Sequence, residues 1–206
     1  MNVREILTHR KLGWLAVIGP LFALCSIAFC VLESPWFTWR DNAVSDFGVH
    51  SVAPLFNTSL IVCGIMCAVF AIGAMLRSRS PGIKFGMSIF LLASISLVGI
   101  GIFTEDWSPH HYFFSVAFFV LLLIAALLLS PHFLLRRETR LIGIFGLCVV
   151  ALGIFGWAYH FTVGWGSNVA IPEALTFVPG ALWFAMLGAW YLKRKGDGKV
   201  RSPDRL

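Results

Sequence analysis

Ala53-Pro54-Leu55-Phe56-Asn57-Thr58-Ser59-Leu60-Ile61-Val62-Cys63-Gly64-Ile65-Met66-Cys67-Ala68-Val69-Phe70-Ala71-Ile72-Gly73-Ala74-Met75-Leu76 runs without a single charge and stops at Arg77-Ser78-Arg79. At about 1.5 Å of rise per residue such a run makes a helix of about 36 Å, enough to cross a hydrocarbon core of roughly 30 Å. Five runs of the same kind accompany it, and the six cover residues 13–32, 53–76, 85–103, 111–130, 141–161 and 172–192. The hydrophobic fraction of 58% and the mean hydropathy of +0.83 lie outside the range of soluble domains. The expected fold is therefore an all-α integral membrane protein, a six-transmembrane-helix up-and-down bundle forming one transmembrane domain over residues 1–206. The connections are short except for the first, which makes neighbouring helices antiparallel.

The first run is longer than the core of a signal peptide, and no small-x-small cleavage pattern follows it, so it reads as a retained helix. The tail from 195 to 206, built of Gly, Ser, Pro and charges, reads as disordered. Interior Gly and Ser residues, among them Gly64, Gly73, Ser94, Gly99 and Gly180, allow helices to approach closely. Cys25, Cys30, Cys63, Cys67 and Cys148 all fall inside apolar runs, where a thiol acts as a small hydrophobe.

The formal charge of +6 and pI of 9.4 do not imply nucleic acid, because the basic residues cluster between apolar runs rather than along one surface. They orient the chain instead. Arg4, Arg10 and Lys11 precede the first run, and Arg77, Arg79 and Lys84 lie between the second and third. Arg136, Arg137 and Arg140 lie between the fourth and fifth, six more follow the last, and Arg40 alone falls on the opposite side. Since Lys- and Arg-rich loops stay inside, the expectation is a multi-pass cell-membrane protein with both termini cytoplasmic.

This topology places six of the ten acids and four of the six histidines at one face, the outer one, beside Trp36, Trp39, Trp107, Trp157 and Trp165, which suit an interfacial belt. The densest patch there is Asn42-Ala43-Val44-Ser45-Asp46-Phe47-Gly48-Val49-His50-Ser51. It reads either as an Asx or Ser turn in which Gly48 allows positive φ, or as a loop that turns Asp46 inward as acid, base or metal ligand. Pro54 marks the start of the second helix. Asn57-Thr58-Ser59 has the form of a glycosylation sequon but lies inside the apolar run.

Thr104-Glu105-Asp106-Trp107-Ser108-Pro109-His110-His111 is the second element. Ser108 as N-cap and Pro109 at the first helical position put both histidines in one turn. Adjacent helical residues diverge by about 100°, so one histidine points inward. Ser115, small and one turn on, favours His111. The third element holds His160 near the end of the fifth run and Pro172-Glu173 opening the sixth. A first-turn glutamate is stabilised by the helix dipole, and an acid this close to hydrocarbon is also a functional candidate.

The residues Asn42-x-x-Ser45-Asp46-Phe47-Gly48, Phe56-Asn57, Gly101-Ile102-Phe103-x-Glu105, a histidine opening the fourth helix and Pro172-Glu173 together resemble the prokaryotic domain-of-unknown-function 998 family (DUF998) of six-helix membrane proteins. The chain is more remotely similar to the eukaryotic Frag/DRAM/Sfk group, through the Ser45-Asp46-x-Gly48 loop and a later histidine, and that resemblance implies a lipid theme without a reaction.

Two functions follow as expectations. In the first, the protein interacts with membrane lipid through a polar pocket at the outer end of the bundle, with Ser45, Asn57, Glu105, His110 and His160 as ligand-binding candidates. In the second it is a metal-assisted hydrolase or transferase acting on a lipid at the outer leaflet. Asp46, His111 and Glu173 are then its catalytic residues, and Asp46, His111, His160 and Glu173 hold a zinc-like divalent metal that lowers the pKa of bound water. The spacing carries no H-E-x-x-H, nucleophile elbow, phosphate loop or dinucleotide fingerprint. A transporter is disfavoured, since no repeat and no charge near the midplane is present.

Overall fold

A computed structural model describes residues 9–193; the 195–206 tail lies outside them. Six helices follow one another: α1 (His9–Leu32), α2 (Ala53–Arg77), α3 (Pro81–Ile102), α4 (His110–Leu134), α5 (Arg140–Thr162) and α6 (Ala170–Lys193). Two short 3-10 turns, Val44–Val49 and Glu105–Trp107, sit in the first and third connections. Among the described residues there is no strand, and all six helices are long and apolar enough to cross a membrane.

The helix ends follow local chemistry. Pro54 and Pro81 occupy the first turns of α2 and α3, where a missing N–H costs nothing. α3 begins four residues ahead of its apolar run because Ser80 caps it, its Oγ accepting the Ile83 N–H at 3.4 Å. Pro109 is the residue before α4 rather than its first residue, and Ser108 does not cap that helix. α6 begins at Ala170, with Pro172 inside its first turn. α4 continues through Pro131 to Leu134, since neighbouring helices supply the packing that a lone proline-containing helix would lack.

Each helix packs on the next in chain order, and α6 returns to α1, so the bundle is a closed ring. The closing seam is tight. A Cβ on Gly188 would lie 2.8 Å from the Ala16 Cβ and 2.8 Å from the Gly13 carbonyl oxygen, so both glycines are needed for α1 and α6 to touch at their backbones. Phe70, Phe90 and Phe184 fill the middle, Phe90 and Phe184 stacked at 4.2 Å, with Trp183 and Leu129 beside them.

The contact of Gly13 with Gly188 and Leu192 places the start of α1 and the end of α6 at the same end of the bundle. Among the described residues every Lys and Arg except Arg40 lies at that end, in the α2–α3 and α4–α5 connections or at the termini. The distal end carries the first, third and fifth connections with Glu33, Asp41, Asp46, Glu105, Asp106 and Glu173. His132 is at the terminal end, its ring over Gly82.

Candidate functional site

The first connection folds back over the distal end as a cap. Phe47 is fully buried and packs against Phe37 at 4.6 Å, Trp36 at 5.6 Å and Phe56 at 5.9 Å. Beneath it a second apolar cluster joins Ile27 and Cys30 of α1, Val44, Leu60, Ile100 and Ala170. These contacts explain the apolar alternation inside an otherwise polar loop: Val44 and Phe47 point down while Ser45 and Asp46 reach sideways.

Polar bonds stitch the cap to the other two distal connections. The Asn168 N–H donates to the Arg40 carbonyl at 3.2 Å and the Ala170 N–H to the Asn42 carbonyl at 3.0 Å. Ser167 Oγ donates to Asp41 Oδ1 at 3.0 Å, and Ser45 Oγ donates to Glu105 Oε1 at 2.6 Å. The deepest tie is between the Val44 N–H and Glu173 Oε2, 2.7 Å apart and buried, across 129 residues of sequence. Glu173 is only 6% exposed.

Asp46 serves its own loop. Its Oδ2 accepts from Asn42 Nδ2 at 2.7 Å and from the Ala43 N–H at 3.2 Å, closing the start of the 3-10 turn. Gly48 does not adopt positive φ, which among the described glycines belongs to Gly164. Space is what Gly48 supplies: a Cβ there would meet Asn57 Oδ1 at 2.8 Å, and Asn57 Nδ2 donates to the Gly48 carbonyl at 2.9 Å. Asn57 thus holds the cap to α2.

His111 turns inward and His110 outward. His110 is exposed and stacks on Phe103 at 5.4 Å. His111 Nδ1 lies 2.7 Å from the Phe103 carbonyl, which can only accept, so the proton is on Nδ1 and Nε2 accepts the Ser115 hydroxyl at 3.3 Å. Glu105 lies within electrostatic range of both His111 and Asp46. Burial pushes its carboxyl above the usual 4.5, the Ser45 hydroxyl opposes this, Asp46 adds to it and His111 draws it back. Glu173 senses the charges of Glu105 and Asp46 in turn. The distal end therefore gathers Ser45, Asp46, Glu105, His111, Ser115 and Glu173.

His160 stands outside this group. It packs beside Trp157 and Phe161 on α5, and the Nδ1 of His160 and the Nε1 of Trp157 are buried without a hydrogen-bond partner. Trp165 turns its indole inward, Nε1 donating to the Gly156 carbonyl at 3.0 Å. Among the described residues no three His, Cys, Asp or Glu side chains are arranged to hold a metal ion. Both nitrogens of His111 and Oδ2 of Asp46 are engaged in the hydrogen bonds above.

Below the cluster lies a cavity of about 110 Å³. α1, α2, α3, α4 and α6 wall it, and α5 contributes no residue. Its floor and sides are apolar, with Leu60, Phe90, Leu122 and Phe184 typical, and Cys63 and Cys67 adjoin it with their sulfurs 3.9 Å apart. The polar groups of its wall are the hydroxyls of Ser45, Ser94 and Ser115 and the carboxyl of Glu173, three of which belong to the cap region. Ser94 lies deeper and spends its hydroxyl on the Phe90 carbonyl at 2.8 Å. Ser115 and the apolar lining of the cavity were not singled out as site residues by sequence reasoning, although Ser45 and Glu173 were; a serine one turn after His111 was the available signal, whereas a void has none.

Six apolar helices in a closed ring, with every described cation but one at a single end, define a multi-pass membrane protein. The chain belongs to the DUF998 family, a protein family of unknown function whose profile matches residues 17–190. Comparison with curated proteins and with solved structures returned no match.

Proposed function

We propose that this protein binds a membrane amphiphile, with part of one hydrocarbon chain in the central cavity and the head group under the cap against Glu173, Ser45 and Ser115. The observation that carries the reading is the cavity's asymmetry: apolar along its length, polar at one end, and closed there by a loop tied to the other two distal connections and to α6. A purely structural void in a bundle is expected to be lined by apolar atoms alone, whereas a site for an amphiphile needs a few placed polar groups on an apolar wall. The distribution of Lys and Arg supports cytoplasmic termini and, with them, a cap at the outer leaflet of the cell membrane.

The test is extraction. Protein purified from its membrane retains about one equivalent of a specific amphiphile, identified by mass spectrometry, and Ala181→Phe, which fills the cavity from α6, loses it while remaining monodisperse and helical. Retained lipid that simply mirrors the bulk membrane, in equal amount for both proteins, would refute the reading.

One observation favours a second reading, a lipid hydrolase or transferase. Ser115 donates to the lone pair on Nε2 of His111, whose other nitrogen is oriented by a backbone carbonyl. A fluorophosphonate label attached to Ser115 supports it; labelling that persists unchanged in Ser115→Ala removes it.

A further inference from the structure

We infer that the head group taken by this site is a non-anionic hydrogen-bond donor, an ammonium or a hydroxyl, on a single alkyl chain, and that phosphate- and carboxylate-headed lipids are excluded. The inference rests on the amphiphile-binding reading above and names its ligand class. Three observations carry it.

The first is charge. Glu173 lines the cavity and lies within electrostatic range of Glu105 and Asp46, and among the described residues no Lys or Arg lines it. The distal end as a whole sets six acids against Arg40, whose side chain lies in an exposed position. An anionic head would enter a site of its own sign with no cation to meet it, and like charges juxtaposed in a low-dielectric site repel strongly. A cationic head supplies the missing countercharge.

The second is an unpartnered acceptor. Glu173 Oε2 accepts the Val44 N–H, but Oε1 receives no hydrogen bond from any described residue, although the side chain is more than nine-tenths buried and lines the cavity. Oε1 is not among the sealed, unpaired side-chain atoms of the described residues, which are those of Ser34, Trp157 and His160, so it is accessible to a partner. The roof as a whole offers more acceptors than donors: the Ser45 hydroxyl proton goes to Glu105 and the Ser115 proton to His111. What fits there is a donor, from an amine or an alcohol.

The third is size. The cavity of about 110 Å³ is smaller than the ~150 Å³ apolar cavity known to admit one benzene. It accommodates a length of one chain and not two chains side by side, which points away from diacyl phospholipids.

The experiment uses the full chain in phosphatidylcholine nanodiscs with three dodecyl probes that share one tail diazirine and differ in head: ammonium, hydroxyl and phosphate. The readout is the ratio of label at cavity residues Phe90, Leu122 and Phe184 to label at the exposed residues Phe85 and Leu141, which cancels differences in partitioning. The expected ratio is at least tenfold higher for ammonium and hydroxyl than for phosphate. Glu173→Gln, which keeps an oxygen for the Val44 N–H, lowers the ammonium ratio about tenfold and leaves the hydroxyl ratio within threefold. A phosphate ratio equal to that of ammonium overturns the inference while the pocket reading survives. Equal labelling of cavity and lipid-facing residues by all three probes overturns both.

Discussion

Replacing Phe47 by alanine separates the cap from the bundle without touching any polar group of the site. The phenyl ring is fully buried and meets three aromatic rings at 4.6 to 5.9 Å, so its removal leaves a void bordered by Phe37, Trp36 and Phe56. Phe→Ala at such a position costs about 3–5 kcal/mol, the transfer term plus the cavity left behind. Because Phe47 lies outside the spans, in a connection held down mainly by this ring and by a few polar ties, the cost falls on cap closure rather than on the helix ring. At about 1.4 kcal/mol per factor of ten, opening of the cap becomes roughly 10²- to 10⁴-fold more populated. Hydrogen exchange followed by mass spectrometry in nanodiscs reads this directly. The amides of Val44, bonded to Glu173, and Asp46, bonded to the Ala43 carbonyl, exchange about 10²- to 10⁴-fold faster, while amides in the middle of α2 and α3 are unchanged. A change of less than threefold at Val44, or an equal acceleration in all six helices, would refute the view of the cap as a separately closing unit.

Other outcomes follow from the same geometry. Gly188→Val forces side-chain atoms between α1 and α6 where a Cβ alone already sits 2.8 Å from the Ala16 Cβ, and it lowers stability to unfolding in mixed micelles by about 1–3 kcal/mol. Trp183→Phe removes the 2.9 Å bond from Nε1 to the Ile142 carbonyl that joins α6 to α5 and costs about 1–2 kcal/mol in the same assay. Glu105 has a carboxyl raised above 4.5 by burial, so its contribution to folding is complete below that pH and is lost as pH rises through the raised value. A pH series of unfolding midpoints therefore declines for the native protein as pH rises above 4.5 and is flatter for Glu105→Gln; a steeper decline in the variant would contradict the assignment.

How much of this was legible in the sequence depends on the range of the interaction concerned. The six spans were, because a run of some twenty apolar residues is a local signal, and Pro54 marks the start of α2 by chemistry within one turn, whereas the Ser80-Pro81 start of α3 was missed because the span was read from its apolar run. The inward turn of His111 was legible for the same reason, since its partner Ser115 lies four residues on. Asp46 illustrates the limit: its position in the loop is evident, but its engagement with Asn42 and Ala43 depends on a backbone path that the residues alone leave open. Gly48 was expected for its φ and is needed for room beside Asn57, a neighbour that only the folded loop reveals. The bond between Glu173 and Val44 joins residues 129 apart, with no spacing to betray it, and the cavity is the space that side chains from five helices fail to fill.

The central claim is that the cavity under the cap holds a hydrocarbon chain whose head meets Glu173. A high-resolution density map of the native protein in nanodiscs made from its own membrane lipids tests it most directly. The account predicts one elongated density running from the Glu173 carboxyl and the Ser45 hydroxyl down toward Phe90 and Phe184; an empty cavity, with elongated densities confined to the outer faces of the helices, would contradict it.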